Sequence, residues 1–378
     1  MSGKKRYILD IESYRNFFYV GIKEIGGTRR VGFELSDRKP EGFDREWLRR
    51  FLMSHQIVTF NGMTYDMPVL WYALNEPNVT TQKIKAISDR IILGNVRYWE
   101  TADVTGYRLP YEMDHIDLIE PQPNPFASLK ILNGRLHGTQ MQDLPYEPDA
   151  DLTHDQMEEV ANYCLWSDLD ASENLWNAMV EPIELREALG ADLGVDLRSK
   201  SDTQVGLAII KHRAEKLLGR RLDRPDVKPG FTFRYKAPPY LKFRTPFLRD
   251  MLERIEAHQF IVGADGKVDL PKWLASTPVT IGETTYSMGI GGLHSTESNR
   301  AVVADDDFVL VDADVASYYP AIILSLGLAP QAIGPRFLEI YRGIRDDRVK
   351  AKKRAKEIKN EIDDLERQIA ELEGGHDE

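Results

Sequence analysis

The stretch Tyr7-Ile-Leu-Asp10-Ile-Glu12 restricts the chain most, because apolar residues alternate in it with acids, the period of a strand. Residues two apart on a strand point to the same side, so Asp10 and Glu12 present two carboxylates together. Like charges so close repel unless a cation sits between them. Phe17-Phe-Tyr-Val-Gly21 follows as a second strand, and the sheet is expected to open in antiparallel hairpins.

Two further acidic sites follow. Ile57-Val-Thr-Phe60 reads as a short buried strand broken by Asn61-Gly, after which Asp66 begins a helix containing Val69-Leu-Trp-Tyr72. The stretch holding Tyr163 and Asp168 is helical in pattern, from a capping Thr153-His-Asp-Gln156 into Leu175-Trp176.

In this order, the three sites resemble the motifs of proofreading 3′–5′ exonucleases that carry four acidic ligands and a tyrosine. Ile116-Asp-Leu118, Ser128-Leu-Lys130 and Gln142-Asp-Leu-Pro145 are similar to the connecting segment of phage polymerase exonuclease domains, so the resemblance spans most of residues 5 to 180. It implies a ribonuclease H-like fold. Asp10, Glu12, Asp66 and Asp168 would hold two Mg²⁺ (or Mn²⁺) ions, and Tyr163 would hydrogen-bond the attacking water. Asn61, Tyr65 and Lys130 would meet a single-stranded DNA 3′ end. The chemistry has a physical basis: phosphodiester hydrolysis needs a nucleophilic hydroxide and charge neutralisation, which two divalent ions about 3.5–4 Å apart supply together. Mg²⁺ prefers oxygen ligands, which makes carboxylates the expected donors.

The third motif departs from the pattern. The family places three residues between tyrosine and aspartate, whereas Tyr163 and Asp168 have four between them. On an α-helix, positions five apart diverge by about 140°. Three accounts are open: a π-bulge that absorbs the extra residue, Cys164 in the tyrosine's place with weaker activity, or the spacing of sister exonucleases with four residues between a histidine and this aspartate.

Further along, Phe308-Val-Leu-Val311 reads as a buried strand leading into Asp312-Ala-Asp-Val-Ala-Ser-Tyr-Tyr-Pro320. That stretch resembles the first palm motif of family B DNA polymerases, with Asp314 as the metal-binding aspartate and Ser317 and Tyr319 at the nucleotide. Tyr286-Ser-Met-Gly289-Ile-Gly-Gly-Leu-His294 is similar to the Gly-Gly-Leu-His segment ahead of the palm in phage enzymes, which implies template contact by Gly291, Gly292 and His294. Arg234-Tyr-Lys-Ala-Pro-Pro-Tyr240 interleaves basic and aromatic residues, a pattern suited to DNA. It lies in a segment, residues 200 to 250, with 13 Lys or Arg against 5 Asp or Glu, inside a chain of net charge −11.

A long helix is expected from about Phe337 to Glu373, basic in its first half. Its second half spaces Ile358, Ile362, Leu365, Ile369 and Leu372 as a coiled-coil seam. Following a palm motif, it resembles the first fingers helix, and Arg345, Arg348 and Lys352 would grip a deoxynucleoside triphosphate. The returning fingers helix and the Asp-x-Asp hairpin are not found in the sequence. The expectation is therefore the N-terminal portion of a phage-type family B-like polymerase on a primer-template, completed by a C-terminal polypeptide.

At 378 residues, two or three domains are expected. The fold class is α/β (α+β): an exonuclease domain over 1–185, a basic connecting region over 186–280, the start of the palm over 281–336 and the fingers helix over 337–378. The single Cys164 fits a reducing cytoplasm, bacterial if the chain is phage-encoded, and no signal peptide or membrane-spanning run is found. Two alternatives stand beside the exonuclease–polymerase reading. One is a catalytically weak DNA-binding fragment that oligomerises through its last helix. The other is an unrelated enzyme using Asp312 and Asp314 for a nucleotide sugar.

Overall fold

The computed structural model describes residues 5–374 except 124–126, 224, 225, 227, 283, 291, 297–300 and 316, with side chains to residue 369. The fold is mixed α/β, and the chain divides into two units, Met1–His212 and Arg213–Glu378.

The first unit is built on a five-stranded sheet: β1 (Arg6–Ser13), β2 (Phe18–Glu24), β3 (Arg30–Leu35), β4 (Gln56–Thr59) and β5 (His115–Asp117). Their order is β3-β2-β1-β4-β5, antiparallel among the first three strands and parallel from β1 through β4 to β5. The strand that carries the two acids is therefore central. Its alternation sorts side chains to two faces. Leu9 and Ile11 enter one apolar cluster with Phe18, Val20 and the buried sides of α1 (Arg45–Ser54), α2 (Asp66–Asn75) and α3 (Thr81–Leu93). Burial of each such side chain stabilises by roughly 1.5–3 kcal/mol. A short α4 (Thr101–Thr105) packs on α2 and α3.

Ile8 points to the other face, where Val58, Ile116 and Leu118 meet α7 (Leu169–Leu193) through Leu169, Leu175, Trp176, Met179 and Ile183. Asp10 and Glu12 share Ile8's face. Before α7 come α5 (Leu129–Arg135) and α6 (His154–Tyr163). Thr153 and Gln156 close a reciprocal capping box at the start of α6, which satisfies backbone donors a helix end leaves open. A π-helical turn, Cys164–Asp168, joins α6 to α7 without a break.

The second unit takes in the end of α8 (Asp202–Leu218), then β6 (Thr232–Phe233), α9 (Pro246–Ala257), β7 (Phe260–Ile261), α10 (Lys272–Ala275), β8 (Val279–Ile281), β9 (Thr284–Gly289), β10 (Gly292–Ser295), α11 (Tyr318–Leu326) and α12 (Phe337–Gly374). β8, β9 and β10 form an antiparallel meander whose apolar cluster includes Met251, Leu274 and Val279. The foot of α12 packs through Ile340 and Ile344 on Ala214 and Leu222. Beyond it Ile358, Ile362, Leu365 and Ile369 are exposed along the helix. Among the described residues, no helix is long and apolar enough to cross a membrane.

One expectation is corrected. Phe308–Val311 is not a buried strand: its four side chains are 67% to 85% exposed and the segment is irregular. A strand needs a neighbour to take its backbone hydrogen bonds, and no described strand pairs with this one.

Candidate metal centre

Asp10, Glu12 and Asp168 come together where β1 faces the start of α7. Each offers a carboxylate oxygen, and the three oxygens lie within 4.8 Å of one another. Asp66, at the first position of α2, accepts the Ile11 N–H of β1 at 3.2 Å, which draws it to the strand between the two acids. The four carboxyls repel one another and are shielded from water. Burial, then Asp66, Asp168 and Glu12, hold the Asp10 carboxyl far above its usual range. Glu12 is raised by burial and by Asp168 and Asp66. Burial and the neighbouring Asp117 push Asp66 up to about 8, and burial takes Asp168 to about 6. Oxygen-only donors of like charge at such distances fit a hard divalent cation, which would relieve the repulsion.

The π turn decides the third motif. In it the Leu169 N–H reaches back five residues to the Cys164 carbonyl, so the chain takes up one residue more than an α turn would. Tyr163 and Asp168 consequently come within electrostatic reach of each other: burial and the carboxylate push the Tyr163 hydroxyl up, and the hydroxyl lowers the Asp168 carboxyl. Of the three accounts left open by the sequence, the geometry is that of the bulge. Cys164 occupies a different position: its buried Sγ lies 3.7 Å from Asp10 Oδ2. The sheet makes room for it at Gly21, the register partner of Asp10, where a Cβ would stand 2.7 Å from that sulfur.

The loop from β4 to Asp66 is held by a residue not singled out as functional, Asp117. Its carboxylate accepts the Asn61 and Met63 N–H groups, both at 2.8 Å, and the Ile119 N–H at 3.0 Å. Burial nevertheless raises it to about 6. Asn61 has φ 62°, a left-handed conformation that asparagine tolerates, and Gly62 passes so close to Thr59 that a Cβ would sit 2.1 Å from its Oγ1. The available signal was a carboxylate within the apolar run Ile116-Asp-Leu118, since a buried acid requires donors.

Lys130, near the start of α5, pairs with Asp143, and its charge lowers the Asp168 carboxyl. The Tyr65 hydroxyl lies 2.8 Å from Ser88 Oγ on α3.

In the second unit, Ser317 stands ahead of α11 with φ 54° and accepts Arg348 Nη1 at 3.0 Å. Ser317, Tyr319, Arg345 and Arg348 line one cavity of about 340 Å³ between α11 and α12. Lys352 is exposed one turn further along. Asp312 and Asp314 are exposed on irregular chain and are not part of the carboxylate group on β1. Gly292 and His294 lie exposed on β10, and Gly291 is outside the described residues.

No protein-family model matches the sequence, and no curated protein or solved structure matches it.

Proposed function

We propose that the first unit is a metal-dependent 3′–5′ exonuclease of ribonuclease H-like type, with Asp10, Glu12, Asp66 and Asp168 as ligands of Mg²⁺ or Mn²⁺. The observation that carries this reading is the convergence of Asp10, Glu12 and Asp168 within 4.8 Å on the central strand, with Asp66 bonded to the same strand. Two divalent ions bound there supply charge neutralisation at the phosphate and a nucleophile from water. The residues of the chain do the rest. Tyr163 acts electrostatically on the Asp168 carboxylate through its hydroxyl, and the Asp117-braced loop fixes Asn61 and Tyr65 ahead of Asp66. Lys130 stands within electrostatic reach of Asp168, where a phosphate of the scissile strand would meet it.

The second unit we read as the beginning of a family B-like polymerase palm with its first fingers helix. The cavity that joins Ser317 and Tyr319 to Arg345 and Arg348 supports this, because two guanidiniums beside a tyrosine suit a nucleoside triphosphate.

The test is digestion of a 5′-labelled single strand with Mg²⁺ or Mn²⁺. A ladder shortening stepwise from the 3′ end, absent in an Asp10→Ala/Glu12→Ala variant, is the expected result. Equal inactivity of both chains, or internal cuts, overturns the reading.

A further inference from the structure

Between α3 and α4 the chain presents two aromatic rings to solvent. Tyr98 is 44% exposed and Trp99 58%, with ring centroids 4.9 Å apart, edge to face. Neither belongs to the apolar clusters of the first unit. Each carries a cation: the Arg97 guanidinium stands 5.3 Å from the Trp99 ring centroid, and the Lys200 ammonium 5.7 Å from that of Tyr98. The turn beneath them is fixed. The Thr101 hydroxyl donates to the Tyr98 carbonyl at 2.8 Å, and the Arg97 N–H donates to Glu100 Oε2 at 3.0 Å.

Contacts and chain neighbours link Tyr98 to the loop that precedes Asp66. Lys200 follows Ser199, whose Oγ accepts the Asp117 N–H at 2.8 Å. Asp117 in turn holds Asn61 and Met63, and Met63 is three residues before Asp66. Exposed rings with cations over them match unpaired nucleic acid, whose bases stack on the rings while its phosphates meet the charges.

We propose that Tyr98 and Trp99, with Arg97 and Lys200, form a stacking platform for single-stranded DNA beside the carboxylate site. The choice of DNA rests on the exonuclease reading. The platform holds nucleotides upstream of the 3′ end, and its preference is for unpaired strands, since a duplex keeps its base faces covered.

The experiment is fluorescence anisotropy of a 5′-labelled oligo(dT) of about twelve nucleotides, titrated with the full chain in EDTA to prevent digestion. Loss of one ring, in Tyr98→Ala or Trp99→Ala, weakens binding roughly tenfold, and loss of both roughly 100-fold. The Tyr98→Phe/Trp99→Phe variant, which keeps two stacking faces, stays within roughly threefold of the wild type. Lys200→Ala lowers the salt dependence by about one phosphate contact. Binding to a blunt duplex is unchanged in the ring variants. Absent binding by the wild type, unchanged binding by Tyr98→Ala/Trp99→Ala, or equal losses for single strand and duplex each overturn the platform. If the wild type digests DNA while the alanine variant binds as tightly, the platform fails and the exonuclease reading stands. If ring-dependent binding occurs in a chain that digests nothing, the platform stands and the exonuclease reading fails.

Discussion

Two pairs of carboxylates, each separated by one residue, meet different fates in this molecule. Asp10 and Glu12 sit on a strand with neighbours on both sides, and the sheet, α2 and α7 bring Asp66 and Asp168 to them. Asp312 and Asp314 follow an apolar segment of similar local pattern, yet that segment pairs with no described strand and its acids stay in solvent. Local sequence is therefore not what gathers a carboxylate pair into a cluster close enough to hold a cation. Strand neighbours hold the first pair against its own repulsion, and burial makes that repulsion matter.

Removing the acids of β1 carries the largest expected effect. In the Asp10→Ala/Glu12→Ala variant, nuclease activity should fall roughly 10⁴-fold or more, the scale seen when groups that touch the reacting atoms are deleted. Asp312→Ala/Asp314→Ala should leave digestion unchanged, and a large loss there would erase the distinction. Tyr163→Phe, which deletes only the hydroxyl that lowers the Asp168 carboxyl, should cost roughly 10- to 100-fold in activity, as removal of groups that support metal ligands does. Activity as low as that of the Asp10→Ala/Glu12→Ala variant would instead give Tyr163 a direct part in the reaction.

Stability of the metal-free chain should depend on pH with an unusual sign. Asp66 is raised to about 8, and Asp117 and Asp168 to about 6, all above the usual carboxylate value. For an acid whose folded pKa is raised, stability is fully present below the unfolded pKa and is lost as pH rises through the folded one. Denaturation in EDTA should thus show the chain more stable near pH 5 than near pH 8. Divalent ions should restore the loss, because they favour the ionised carboxylates. A Tm in EDTA that rises between pH 5 and pH 8 would contradict the crowding of these acids.

Smaller effects test the packing around each pair. Gly21→Ala places a methyl 2.7 Å from Cys164 Sγ, and overpacking of this kind costs about 1–3 kcal/mol by chemical denaturation. Asp314→Ala, at an exposed position, should stay within about 0.5 kcal/mol of the wild type.

Much of the first unit was legible in the sequence because its signals are local. Alternation in Tyr7–Glu12 marks a strand, Asn61-Gly a turn, and Thr153 with Gln156 a helix start; each corresponds to an observed element. The role of Asp117 was hidden, because its partners Asn61 and Met63 are more than 50 residues away and are backbone groups of no particular residue type. The meeting of Tyr163 with Asp168 was open for a different reason. Five-residue spacing fits one face only on a π turn, and the contact that receives Cys164 is with Gly21, on another element. In the second unit the apolar run Phe308–Val311 misled, since strand propensity says nothing about whether a neighbouring strand is at hand. The long helix was plain from its spacing alone.

We propose the acids of β1, rather than those at 312 and 314, as the divalent-metal site of this chain. Mn²⁺ binding followed by electron paramagnetic resonance, on the wild type and on the two double alanine variants, tests it most directly. The expected result is tight Mn²⁺ binding by the wild type and by Asp312→Ala/Asp314→Ala, and its loss in Asp10→Ala/Glu12→Ala. Undiminished binding by Asp10→Ala/Glu12→Ala, or no binding by the wild type, would contradict it.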